Sequence, residues 1–135
     1  MVGGYAVALH GAVRGTVDID IVVAWNLKTL RGAELALSEL GLVSRIPVSA
    51  HEIYCFRDEY IQNRNLIGWN HYNPNSPAEQ VDIIISYDLS GKKVNTLTTG
   101  GGPVRVLSRK ELIAMKRASG RPQDLEDVKA LEQSW

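Results

Sequence analysis

Residues Val17-Asp18-Ile19-Asp20-Ile21-Val22-Val23 read as one β-strand, because β-branched side chains dominate the run. Side chains alternate along a strand, so Asp18 and Asp20 share one face while Val17, Ile19 and Ile21 share the other. The strand is therefore apolar on one side and doubly acidic on the other. Like charges about 4 Å apart repel by roughly 1 kcal/mol in water and by about 4 kcal/mol at an effective dielectric of 20. A cation relieves that repulsion. Carboxylate oxygens suit Mg2+ (or Mn2+), and Mg2+ is commonly held by one or two carboxylates plus substrate phosphates. An exposed edge strand carrying two solvated aspartates is the competing reading of the same residues.

The rest of the chain supplies the partners such a strand needs. With 135 residues the length fits a single α/β domain spanning 1–135, long enough to bury a core without disulfides or structural metal. A short alanine-rich helix is expected over Tyr5–Val13. Residues 26–40 form the clearest helix, with Leu27, Leu30, Ala33, Leu37 and Leu40 on one stripe, Asn26 as N-cap and Gly41 at the C-terminal end. Leu42–Pro47 is strand or loop, and Ser49–Asn65 has a weak helical pattern. Leu66–Tyr72 and Val81–Tyr87 are expected strands, separated by a loop at residues 73–77. After a glycine-rich turn at residues 98–103, Val104–Leu107 alternates as a strand. Ser108 and Glu111 make a capping-box pattern for a helix ended by Gly120, and a last helix runs from Pro122 into Leu131. The expectation is a mixed sheet flanked by helices.

Further residues join Asp18 and Asp20 as candidates. Asp82 interrupts the apolar run Val81–Ile85, where a carboxylate is costly unless it is paired or liganding; exposure at the strand's start is the plainer alternative. Three carboxylates together would suit two-metal phosphoryl or nucleotidyl transfer, with the third also able to take a proton from an attacking hydroxyl. Gly3-Gly4 ahead of a helix lets backbone amides approach phosphate, or simply makes a tight turn. Arg14 would hold an aspartate or meet phosphate. Lys116, Arg117 and Arg121 would meet triphosphate oxygens or an RNA backbone, against the reading of a solvated helix face with salt bridges to Asp124 and Asp127. His10 and the single cysteine, Cys55, read as packing residues.

Composition narrows the setting. Formal net charge is zero, so any anion site must be local. One cysteine excludes an internal disulfide framework. No apolar run reaches membrane-spanning length and no signal-peptide pattern opens the chain, so a cytoplasmic, non-membrane protein is expected. Arg105, Arg109, Lys110, Lys116, Arg117 and Arg121 cluster toward one end, so RNA affinity, where present, should fall with salt.

Gly3-Gly4, a thirteen-residue spacer and Asp18-Ile19-Asp20 resemble the polymerase-β-like nucleotidyltransferase signature. The string GGYAVALHGAVRGTVDIDIVV and the distal LSRKELIAMKRASGRPQDLEDVKAL are similar to bacterial nucleotidyltransferases related to toxins of type IV toxin–antitoxin systems. The resemblance implies metal at Asp18, Asp20 and Asp82, with Asp82 also the base. It implies a triphosphate cradle at Gly3 and Gly4, and Lys116 contacting phosphate or orienting the site. Asp124 and Asp127 would support the distal helices. The implied reaction moves a nucleoside monophosphate from a nucleoside triphosphate, such as ATP, to a hydroxyl of RNA, protein or a small molecule. A catalytically silent nucleotide-binding or regulatory protein of the same fold is the alternative, and a metal-dependent phosphohydrolase a third. Relatives carry a helix and a strand before the Gly-Gly turn. Here the turn comes two residues into the chain, so the expectation is either a true start further upstream or a minimal version of the fold, whose bare sheet edge would invite a homodimer or another partner chain. An antitoxin partner is a further expectation of the resemblance.

Overall fold

The structure is a computed structural model that describes residues 18–99 and 102–133, with only the backbone of Asp18 and Thr99. The described residues form two compact units, residues 18–90 and the part from residue 91 onward. The helix expected over Tyr5–Val13, together with Gly3, Gly4, His10 and Arg14, lies outside the described residues.

The first unit is a four-stranded mixed sheet with three helices. Strand β1 (Asp18–Ile21) runs parallel to β4 (Ser76–Ile84). β4 is antiparallel to β3 (Gly68–Asn73), and β3 to the short β2 (Val43–Ser44), giving the order β1-β4-β3-β2. Helix α1 (Leu27–Glu39) starts where the sequence places it, since the Asn26 side chain accepts a hydrogen bond from the Thr29 amide at 2.8 Å. It ends in a Schellman arrangement. Gly41 takes a φ of 84°, the Leu42 amide donates to the Leu37 carbonyl, and the Gly41 amide donates to the Ser38 carbonyl.

The weak pattern at residues 49–65 resolves into two helices, α2 (Ala50–Cys55) and α3 (Arg57–Arg64). At the start of α2, the Ser49 amide donates to Glu52 Oε1, a capping interaction that the sequence carries as Ser-x-x-Glu. Leu30, Leu37, Leu42, Ala50, Ile53, Trp69, Ile83 and Ile85 are buried together against one face of the sheet. Each large member contributes about 1.5–3 kcal/mol by leaving water. Trp69 satisfies its indole by donating to Ser44 Oγ at 2.8 Å.

The boundary ahead of Asp82 departs from the sequence expectation. The loop at residues 73–77 shrinks to a tight turn, because Asn73 Oδ1 accepts from the Asn75 amide and Asn73 pairs with Ser76 across the hairpin. Strand β4 therefore begins at Ser76 rather than Val81 and places Asp82 well inside the strand. Pro77 is tolerated there because β1 pairs with β4 only from Gln80 onward.

The second unit pairs β5 (Val94–Thr99) antiparallel with β6 (Gly102–Leu107), followed by α4 (Arg109–Ser119) and α5 (Pro122–Gln133). Ser108 caps α4 by accepting from the Glu111 amide, and Gly120 ends it at a φ of 68°. Leu112, Val128 and Leu131 are buried. Strand β5 had no counterpart among the expected elements. Its run Val94-Asn95-Thr96-Leu97-Thr98-Thr99 has few apolar residues to mark it. Among the described residues no helix is long and apolar enough to cross a membrane.

Candidate functional site

Strand register builds the site in the first unit. Asp20 lies directly opposite Asp82, and Asp18 opposite Gln80, across the parallel β1–β4 pair. Asp82 in turn lies opposite Asn70 on β3. Neighbouring strands are about 4.8 Å apart, so Asp20, Asp82 and Asn70 form one row of side chains on one face of the sheet. The next residues along, Ile21, Ile83 and Trp69, form the matching row on the core face. The alternation of Ile19, Asp20 and Ile21 in the sequence thus separates a carboxylate face from the apolar core.

Asn70 holds Asp82 in place. Its Nδ2 donates to Asp82 Oδ1 at 2.7 Å and to Gln80 Oε1 at 3.2 Å. Its Oδ1 accepts from Arg45 Nε at 2.8 Å, which fixes the orientation of the amide. The Arg45 guanidinium also lies over the Tyr72 ring, 4.4 Å from its centroid. Gly68 flanks the same carboxylate. A Cβ at that position would stand in ordinary contact, 3.5 Å from Asp82 Cβ and 3.7 Å from Cγ.

Asp20 and Asp82 are both half-buried. Two adjacent carboxylates in that setting are a donor set for a hard divalent cation. Asn70 supplies the kind of outer support that orients a ligating carboxylate. Among the described residues no group of three or more histidine, cysteine or acidic side chains gathers as a metal site, and the Asp18 side chain lies outside the described residues. Sequence reasoning selected Asp20 and Asp82 but not Asn70, Arg45 or Gly68. Nothing in their spacing marks these three, since only strand register brings them to Asp82.

The distal candidates meet one another in the second unit. Lys116, 7% exposed, places Nζ 3.3 Å from Asp124 Oδ1 and 3.2 Å from Asp127 Oδ2. Arg121 Nε donates to Asp124 Oδ2 at 2.8 Å, and Arg117 pairs with Glu132. Burial alone would raise the Asp124 carboxyl. Hydrogen bonds from Arg121, Ser119 and Lys116, with the Lys116 charge, outweigh it and hold the group at about 2. The lysine is thus buried between two aspartates, while Arg117 and Arg121 stay exposed. The i, i+3 spacing of Asp124 and Asp127 puts both acids on one face of α5, toward the lysine of α4.

Cys55 is exposed rather than packed, with Sγ 3.6 Å from Nε2 of His51 one helical turn earlier. Neither a family model nor a curated protein matches the chain.

Proposed function

We propose that the carboxylate face of the first sheet is the metal-binding heart of a nucleotidyltransferase, which moves a nucleoside monophosphate from a nucleoside triphosphate to a hydroxyl. The register of Asp20 against Asp82, on a strand that also carries Asp18 two residues away, supports this reading most strongly. Asp18, Asp20 and Asp82 would hold Mg2+ or Mn2+. When bound, the ions would neutralise phosphate charge and clamp attacking and leaving oxygens.

Asp82 would take the proton of the attacking hydroxyl, held in its rotamer by Asn70. Gly3, Gly4 and Arg14 would meet the triphosphate. Lys116 would act from within its pair of aspartates as an orienting residue, with Arg121 beside it. The acceptor class is RNA, a protein hydroxyl or a small molecule. A cytoplasmic setting, a homodimer and an antitoxin-like partner belong to the same proposal.

One observation favours a silent nucleotide-binding protein instead. The chain Arg45–Asn70–Asp82 already supplies Asp82 with a donor and a nearby positive charge. Turnover separates the two readings. Incubation with each α-labelled nucleoside triphosphate, Mg2+ or Mn2+, and total RNA should transfer label and release pyrophosphate in wild type but not in Asp82→Asn. Nucleotide binding without transfer to RNA, to protein or to the chain itself would establish the silent form.

A further inference from the structure

The outward face of α1 carries three features that weaken the helix itself. Leu30 and Leu37 point into the core, while Lys28, Gly32, Leu35 and Glu39 are exposed on the opposite side. Gly32 stands mid-helix, where glycine is less favourable than alanine. A Cβ added there would meet nothing within 4 Å, so no close approach among the described residues requires glycine. Leu35 is 61% exposed. Lys28 lies in the first turn and Glu39 in the last, each at the end of the helix dipole that repels it. Neither has an ion-pair or hydrogen-bond partner among the described residues.

All three features fit a second copy of the same helix. Residues 28, 32, 35 and 39 recur at steps of four, three and four, the spacing of a helix-pairing seam. In an antiparallel pair centred midway along α1, Lys28 stands beside Glu39 of the second copy, and Gly32 beside its Leu35. Two-fold symmetry repeats both contacts. Each Leu35 is then a knob seated in the notch that glycine leaves. Each Lys28–Glu39 pair closes one end of the seam. A charge that opposes its own helix dipole lies against the favourable end of the other helix.

We propose that α1 is a self-association surface through which two copies of the chain pair antiparallel. The face matches its own reverse in both size and charge, which an unrelated partner has no reason to share. Leu40, 71% exposed, and Val43, 44% exposed, follow the C-terminal end of the helix and add an apolar rim. At about 1.5 Å per residue the 13-residue helix is about 20 Å long. The contact is therefore smaller than a standard stable interface, and the dimer is weak and concentration-dependent. The pairing needs neither a sheet edge nor metal chemistry, because α1 packs on the core face of the sheet, away from the carboxylate row.

Sedimentation velocity of the full chain from about 1 μM to about 1 mM tests this. Wild type should pass from monomer toward dimer within that range. Gly32→Gln fills the notch while favouring the helix, so it should hold the chain monomeric with no loss of Tm at low concentration. Lys28→Glu and Glu39→Lys should each raise the dimer Kd about tenfold, because symmetry counts each change twice and repulsion replaces attraction. The double variant Lys28→Glu/Glu39→Lys restores opposite charges and should recover most of the wild-type affinity. A chain still monomeric at about 1 mM would overturn the proposal. So would a dimer that Gly32→Gln leaves intact, single charge reversals without effect, or a double variant no tighter than the singles. None of these substitutions touches Asp20 or Asp82, so failure here leaves the proposed transferase reading standing, and the reverse holds.

Discussion

At the residue scale, the carboxylate row rests on side chains of unequal visibility. Asp20 can be read from the sequence because an acidic residue inside a β-branched run is costly and its period-two neighbour Asp18 repeats the cost. Asp82 can be read for the same reason. Asn70 and Arg45 cannot, because only the β3–β4 register and the chain just past β2 bring them to Asp82. On the proposed function, Asn70→Ala should lower apparent Mn2+ affinity about 10–100-fold, the usual effect of removing an outer support. Titration calorimetry reads this directly, and an unchanged affinity would remove Asn70 from the site. Lys116 tests a different idea. Its ammonium is buried between Asp124 and Asp127, so Lys116→Met leaves two carboxylates short of a partner and should cost roughly 3–5 kcal/mol of stability in urea unfolding. A cost below about 1 kcal/mol would match an exposed ion pair instead.

At the element scale, helices were more readable than strand ends. Helix α1 was marked by its leucine stripe, its Asn26 cap and Gly41, and α4 by Ser108 and Gly120. The start of strand β4 was not, because Pro77 and the polar stretch around it look like a loop until a hairpin partner accepts them. Strand β5 was missed because threonine and asparagine carry little hydrophobic pattern.

Two elements carry pH signatures of the same sign but in different windows. Asp124 in α5 is held at about 2, below its ordinary 3.8. Its contribution is complete above 3.8 and lost as pH falls through 2, amounting to about 2 kcal/mol at 1.36 kcal/mol per pKa unit. The urea midpoint of wild type should drop across that window, and Asp124→Asn should flatten the drop. Burial of His71 in β3 likewise lowers its pKa. The unfolded chain takes up its proton first, so stability should decline as pH falls from about 6.5 toward the folded value. Comparing Tm against pH for wild type and His71→Gln isolates this group from His10 and His51. Parallel curves would contradict the buried neutral ring.

At the scale of the whole molecule, the expectation of a mixed sheet with flanking helices holds in the first unit. A β-hairpin followed by two helices makes the second. The sequence carried the fold class because periodicity is local. The pairing of Asp20 with Asp82, 62 positions apart, depends on a parallel register that no local pattern encodes. The two faces of one sheet thus present different chemistry, carboxylates on one and the apolar core with the buried His71 on the other.

The central claim is that the carboxylate row binds a metal–nucleotide complex, and a thermal-shift panel tests it most directly. ATP, CTP, GTP and UTP, each with Mg2+ and with chelator, are compared on wild type and Asp20→Asn. A nucleotide at a hundred times its Kd stabilises by about 2.7 kcal/mol, or roughly 8–15 °C for a chain of this size. The account predicts a Mg2+-dependent shift of that order with at least one nucleotide, lost in Asp20→Asn while the unliganded Tm stays near wild type. A shift of equal size in the variant, or no shift with any nucleotide, would contradict it.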